Sequence, residues 1–305
     1  MVLLPGFAGD EASLTPLTAE QAIGIADEVF GVTADTAVRL ETERDDTFRI
    51  GDYVLKIAHP SDPFDVIDFQ TQALLHASAT DASLPLQHVH RSRSGDLQPL
   101  VNGRIARMFS WLPGTLVQQF ELDDAELALL GATLARLARA LRGFDHPAAR
   151  RPLAWDLLQF DSLRQLLASR PELGWVFERY DEVVVPRVGE LPMQVIHNDF
   201  HPENVLASRS DPGFVSGILD FGDAILSARV ADVAVACAYL PAAGIRHFVA
   251  GYQRITALEP VELEVLPHLV TARLAARILI NEWLAPGSPS DRMLRALDAL
   301  KELEP

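Results

Sequence analysis

The residues able to do chemistry gather in two short stretches. His197-Asn198-Asp199-Phe200-His201-Pro202-Glu203-Asn204 follows one apolar run, and Asp220-Phe221-Gly222-Asp223 closes a second. Titratable groups rarely collect behind apolar strands merely to be packed. Two strand-end carboxylates flanking a polar loop suit a magnesium phosphate, because magnesium takes oxygen ligands and leaves much of its octahedral shell to water and substrate phosphates. Asp199, Asn204 and Asp220 supply that set, with one carboxylate to spare for moving a proton. Lysine occurs only at Lys56 and Lys301, arginine serving everywhere else. A compact ammonium inside the apolar strand Tyr53-Val54-Leu55-Lys56-Ile57 therefore marks Lys56 for a specific contact. His197, Asp199 and His201 alternate and also match the donor set of a zinc or iron hydrolase, a reading that leaves Asn204, Asp220 and Lys56 without roles. No Gly-x-Ser-x-Gly turn is present for a serine hydrolase.

The elements that must position these groups change character along the chain. Thr18 and Gln21 form a capping box, and the apolar-periodic run behind it predicts a helix to Phe30. Alternation then predicts strands at 37–40, 47–50 and 53–57, with Gly51-Asp52 as the hairpin turn between the last two. A helix follows from Phe64 to Ala77, and two more strands at 84–90 and 104–111, giving a sheet of about five antiparallel strands with one inserted helix. Beyond Pro113-Gly114 the pattern turns helical, at Asp124 to Arg142 and Trp155 to Ser169. Short strands at 194–196, 204–206 and 215–219 frame the two polar stretches. Helices resume at Arg229, broken at Pro241, Pro260 and Pro286-Gly287. The division expected is 1–111 and 112–305. His88 and His90 alternate as on a solvated sheet edge, Trp155 and Trp175 fit helix packing, and Cys237 in its Ala-rich helix fits a buried small hydrophobe.

Composition narrows the partners. The chain has 305 residues, of which 49% are hydrophobic, enough for a large core without staples. A single cysteine excludes an internal disulfide framework and a multi-thiolate zinc site. The formal net charge of -16 opposes phosphate-backbone binding, so nucleic acid is not expected as a partner. It would favour a cationic small molecule in a cleft, or serve only solubility. The run from Val233 to Ile245 is shorter than the about 20 residues of a membrane span and contains Pro241. With no basic, apolar leader at the start, the expected location is cytoplasmic. Nothing in the pattern speaks to oligomeric state.

His197-x-Asp199, with Asn204 following and then Asp220-Phe221-Gly222, resembles the catalytic loop and metal motif of protein-kinase-like enzymes. The form His201-Pro202-Glu203-Asn204, with Asp223 after the glycine, resembles the aminoglycoside phosphotransferase family of small-molecule kinases. Gly217 to Asp223 together with Asp232-Val233-Ala234 are most similar to its hydroxylysine-kinase branch. The resemblance spans about Thr36 to Leu284. It implies an α+β, two-lobed protein-kinase-like fold, a small antiparallel-sheet lobe beside a larger helical one, with ATP and magnesium between them. By this resemblance Asp199 would be the catalytic base, His197 would brace the loop, and Asn204 and Asp220 would hold the metal. Lys56 would contact the α- and β-phosphates, with Asp68 on the following helix as its ion-pair partner. The segment 107–111, including Phe109 and Trp111, would link the lobes and hydrogen-bond adenine through its backbone. The loop 41–46 lacks glycine, which departs from the protein-kinase pattern; Arg44 could reach a phosphate from it. Asp223, Asn281 and Trp283 are candidates for contact with the hydroxyl acceptor. The reaction implied is phosphorylation of a small amine-bearing alcohol, a hydroxylated amino acid or amino alcohol, with an aminoglycoside or a non-catalytic nucleotide-binding role as alternatives.

Overall fold

The computed structural model describes residues 4, 15–42 and 44–301. Strands β1 (Val38–Leu40), β2 (Asp46–Ile50), β3 (Tyr53–Ile57), β4 (Val89–His90), β5 (Leu100–Val101) and β6 (Arg104–Ser110) form a six-stranded sheet. Its order is β1-β2-β3-β6-β4, with β5 also paired to β6, and the pairs are antiparallel. Gly51 turns the β2–β3 hairpin at a φ of 57°, a conformation glycine adopts without strain. Side chains alternate across the sheet. Leu55, Ile57, Phe48, Ile50, Ala106 and Met108 bury one face beneath α1 (Ala19–Ile25) and the wider turn Ala26–Phe30. Val54 and Phe109 join the main core on the other face, with Phe69 and Leu74 of α2 (Phe64–Thr80). Lys56 shares that second face and is opposite Thr47 on one side and Arg107 on the other, in mid-sheet.

Both expected capping residues of α1 are in place, Thr18 accepting from the Gln21 amide and Gln21 reaching back to Thr18. Where sequence and structure differ, tertiary contacts decide. The segment 84–90 contributes only two strand residues, because Leu86 leaves the sheet to bridge Ile218 in the other half of the molecule. The strand at 104–110 continues through Ser110, and the amides of Ser110 and Trp111 are taken by His88 O and Asp52 O at 2.9 and 2.7 Å. Phe109 is thus a strand residue, and the chain leaves the sheet only at Trp111. Leu157–Ser169 is a run of tight 3-10 turns kinked at Gln159, whose side chain bonds Leu153, Arg151 and Asp156.

One ion cluster, centred on the buried Asp46, ties the segment before α1 to the sheet. Asp46 receives Arg39 at 2.8 Å, Arg104 at 2.7 Å and the Leu17 amide at 3.2 Å. Burial alone pushes its carboxyl up, but the two guanidinium hydrogen bonds outweigh burial and hold it below the usual range. A depressed carboxyl stabilises the fold above the ordinary carboxylate pKa of about 3.9, and that contribution is lost as pH falls through the depressed value. Asp46→Asn should therefore cost about 3 kcal/mol in urea unfolding at pH 7, and the gap to the native chain should begin to narrow below about pH 4 and close only below the depressed value. A gap independent of pH would contradict this account.

In the second half, β7 (Thr115–Leu116), β9 (Val205–Ala207) and β10 (Val215–Ile218) form one small sheet, and β8 (Met193–Ile196) with β11 (Ile225–Ala228) another. Around them pack α3 (Asp124–Ala140), α4 (Gly174–Arg179), α5 (Arg229–Cys237), α6 (Ala242–Gln253), α7 (Pro260–Leu284) and α8 (Asp291–Lys301). Helices α3 and α6 cross at Gly131 and Gly251, where any Cβ would strike the backbone of the facing helix. No helix among the described residues is long and apolar enough to cross a membrane.

Candidate active site

The two polar stretches are the β8–β9 and β10–β11 connections, so neighbouring strands deliver both to one place. Val195 and Ile196 anchor the first beneath the core. The chain then turns at Asn198, φ 63°, and both amides exposed by the turn are met by Asp232 of α5: His197 N donates to Oδ2 at 3.0 Å and Asn198 N to Oδ1 at 2.7 Å. His197 Nδ1 accepts the Asp199 amide at 3.3 Å, which leaves Nε2–H to donate to Leu219 O at 2.9 Å. One imidazole thus ties the two connections together, its ring edge-on to Phe221 at 4.9 Å.

Asp199 presents both carboxylate oxygens to partners. Oδ1 receives Arg273 of α7 at 3.0 Å and His201 Nε2 at 3.2 Å, and Oδ2 receives Asn204 Nδ2 at 2.6 Å. Burial raises its carboxyl, yet His201, Arg273 and His197 overcome this and leave it below the ordinary range. Asp220 sits at a φ of 57°, its Oδ1 accepting the Gly222 amide at 2.9 Å and its Oδ2 facing Lys56 Nζ at 3.3 Å. The Lys56 charge, more than any other influence, pulls Asp220 down to about 2. Asp223 behaves in the opposite way: burial, then the neighbouring Asp199 and Asp220, push it up to about 7.

Asp220 opens its side chain to the cleft, 45% exposed, and the Asn204 amide commits its nitrogen to Asp199, which keeps its oxygen as an acceptor. An all-oxygen pair beside a carboxylate fits a hard divalent cation that completes its shell with phosphate and water. No cluster of three or more His, Cys, Asp or Glu among the described residues offers a self-sufficient metal cage, so the zinc-hydrolase arrangement is not formed. A small cavity beside Lys56 is lined by Gln70, Phe109, Ile218 and Phe221.

Several expected residues stand elsewhere. Asp68 does not pair with Lys56; it faces His146 at 3.4 Å and Gln72 at 3.2 Å. Gln70 is the α2 residue that turns to the site, joining Arg107 NH1 at 3.0 Å to Gly222 O at 3.3 Å. Residues two apart on a helix differ by about 200°, so 68 and 70 cannot both face the cleft. Arg44 is held by Ser61 at 2.7 Å and Asp62 at 3.1 Å, on the turn after β3. Trp111 lies under the Arg49 guanidinium at 4.1 Å, beside the β2–β3 turn. Asn281 and Trp283 end α7, with Glu282 between them fixed to Arg170 at 2.9 Å. Sequence reading missed the structural roles of Asp232, Gln70, Arg151 (on Gly222 O at 3.0 Å) and Arg273. The signal for the last was present: Arg273 and Arg277 interrupt the largely apolar stretch from Leu269 to Ile280, and buried charge requires a partner.

Fold and site define a two-lobed, kinase-like phosphotransferase. A profile described as the phosphotransferase enzyme family matches residues 33–266, and the chain belongs to that family. It is 25% identical to a hydroxylysine kinase of Mus musculus over 96% of this chain and 90% of that one. It is 32% identical to a homoserine kinase of Gluconobacter oxydans over 69% of each chain. Among solved structures it is similar to an amicoumacin kinase bound to AMP-PNP, Ca2+ and amicoumacin, with a TM-score of 0.72, 15% identity and 94% of each chain covered. A microcompartment-associated aminopropanol kinase superposes with a TM-score of 0.66 at 19% identity, covering 92% of this chain and 94% of that one. The chain is accordingly a small-molecule kinase, an enzyme that phosphorylates a hydroxyl.

Proposed function

We propose that this enzyme transfers the γ-phosphoryl group of ATP, with magnesium as the metal, to the hydroxyl of a small amine-bearing acceptor of the hydroxylated amino acid or amino alcohol kind. The observation that carries the reading is the joining of the Asp199 and Asp220 connections through His197, with Lys56 reaching across from the sheet. Asp199 orients the acceptor hydroxyl and takes its proton as the oxygen–phosphorus bond forms and the bond to the ADP leaving oxygen breaks. Asn204 and Asp220 would hold magnesium, which would supply neutralisation of phosphate charge when bound. Lys56, released from Asp220, turns its ammonium to the α- and β-phosphates. The lobes divide at about 111/112, and the chemistry belongs in the cytoplasm, where ATP is supplied. The relatives support an amino acid acceptor over an antibiotic, and the acidic net charge agrees with an amine on it.

The test is ADP release from ATP and magnesium with hydroxylysine, homoserine, ethanolamine, choline and aminoglycosides. Turnover is expected with a hydroxylated amino acid or amino alcohol at a kcat/KM at least about ten times that of any aminoglycoside. Turnover confined to aminoglycosides would overturn the acceptor assignment.

A further inference from the structure

Helix α7 carries Arg273, Arg277 and Asn281 at intervals of four, which places them along one side of the helix. Arg273 is spent on the site itself: 2% exposed, it bonds Asp199 and the carbonyl of Trp155 and lies over the Trp155 ring at 4.7 Å. Arg277 is different. Its guanidinium rests on the ring of Tyr239 at 3.8 Å, and Tyr239 stacks on His201 at 4.5 Å with planes 13° apart. His201 in turn touches Asp199 at 3.2 Å, so only two rings separate Arg277 from the carboxylate expected to receive the acceptor hydroxyl. Among the described residues no carboxylate forms an ion pair with Arg277, whereas Arg170 has Glu282 and Arg229 has Glu262.

A partly buried guanidinium without a counter-charge is costly to keep. Burial, and then the like charges of Arg273 and Arg292, press Arg277 below its ordinary range, with Tyr239 and Glu203 offsetting them only in part. Arg273 and Arg292 thus add like charge near Arg277, in a chain of net charge -16. A planar fork presented on an aromatic ring is suited to a carboxylate, which it can bind through two parallel hydrogen bonds.

We infer that Arg277 binds the carboxylate of the acceptor and so selects hydroxylated amino acids over the corresponding amino alcohols. This rests on the kinase reading above and names the acceptor class within it. The acceptor lies with its hydroxyl at Asp199 and its carboxylate on α7, and an amino alcohol lacking the acid group leaves Arg277 desolvated and unpaired.

The test compares each acid with its decarboxylated partner: homoserine with 3-aminopropan-1-ol, and hydroxylysine with 1,5-diaminopentan-2-ol. The native enzyme should favour the acid in kcat/KM, and Arg277→Gln should lower the acid-to-alcohol ratio about 100-fold, the loss of a charged hydrogen-bonded pair. Arg277→Lys keeps the charge without the fork and should lower the ratio less, which guards against a glutamine variant that folds poorly. Calorimetric titration of homoserine and hydroxylysine into native and variant protein should show the same ordering without turnover. An equal loss for acid and alcohol, or a loss confined to the KM for ATP, would assign the arginine to the fold or to the nucleotide and overturn the inference. A native enzyme that prefers the amino alcohols, or one that phosphorylates none of the four, would overturn it while leaving the kinase reading to the wider acceptor panel.

Discussion

Asp199→Asn is expected to lower kcat about 1,000-fold while nucleotide binding by calorimetry stays within about threefold of native. The amide cannot accept the hydroxyl proton, and its NH2 confronts Asn204 Nδ2 or the Arg273 guanidinium, both donors, where the carboxylate accepted from each. The substitution also has a structural cost, because Arg273 is buried and loses its anion. Pairing it with Arg273→Met separates the two effects. The double variant should recover melting temperature relative to Asp199→Asn alone and recover no activity. Restoration of turnover in the double variant would show that Asp199 serves only to neutralise the arginine.

Asp232→Ala should destabilise the protein by about 3 kcal/mol and remove most activity, although Asp232 lies behind the site and reaches no substrate. Its two oxygens are the acceptors for the adjacent amides of His197 and Asn198, both residues fully buried. The Asn198 side chain adds no anchor of its own, neither of its polar atoms having a partner. Losing both acceptors frees the turn that points Asp199 outward. Asp232→Asn can satisfy one amide only and should fall between native and alanine in both stability and kcat. A fully active alanine variant would mean that the φ of 63° at Asn198 is held by other contacts.

What the sequence made legible is what chemistry requires in one contiguous stretch. Asp199, Asn204 and Asp220 could be singled out because a phosphoryl-transfer site needs those groups at the ends of short strands, and Lys56 because an ammonium breaks the apolar alternation of β3. Helix α1 and the β2–β3 turn were likewise readable, their capping box and glycine acting over a few residues. Asp68 against Gln70 was not, because the phase of α2 is set by how Phe69 and Leu74 pack on the sheet. Arg273 meets Asp199 from 74 residues away, a contact that no local spacing encodes. The turns at 157–169 show why apolar periodicity alone misleads: spacings of three and four residues suit both α and 3-10 geometry, and the Gln159 hydrogen bonds select the tighter one.

The lone cysteine has a practical consequence. Cys237 is 1% exposed within α5, and burial pushes its thiol far above the ordinary range, so it offers alkylating reagents neither access nor a thiolate. A pair of cysteines, one introduced on each side of the cleft, would be the only reactive thiols of the folded chain. Paired dyes or spin labels could then report the separation of the two halves during turnover, with the native residue left in place.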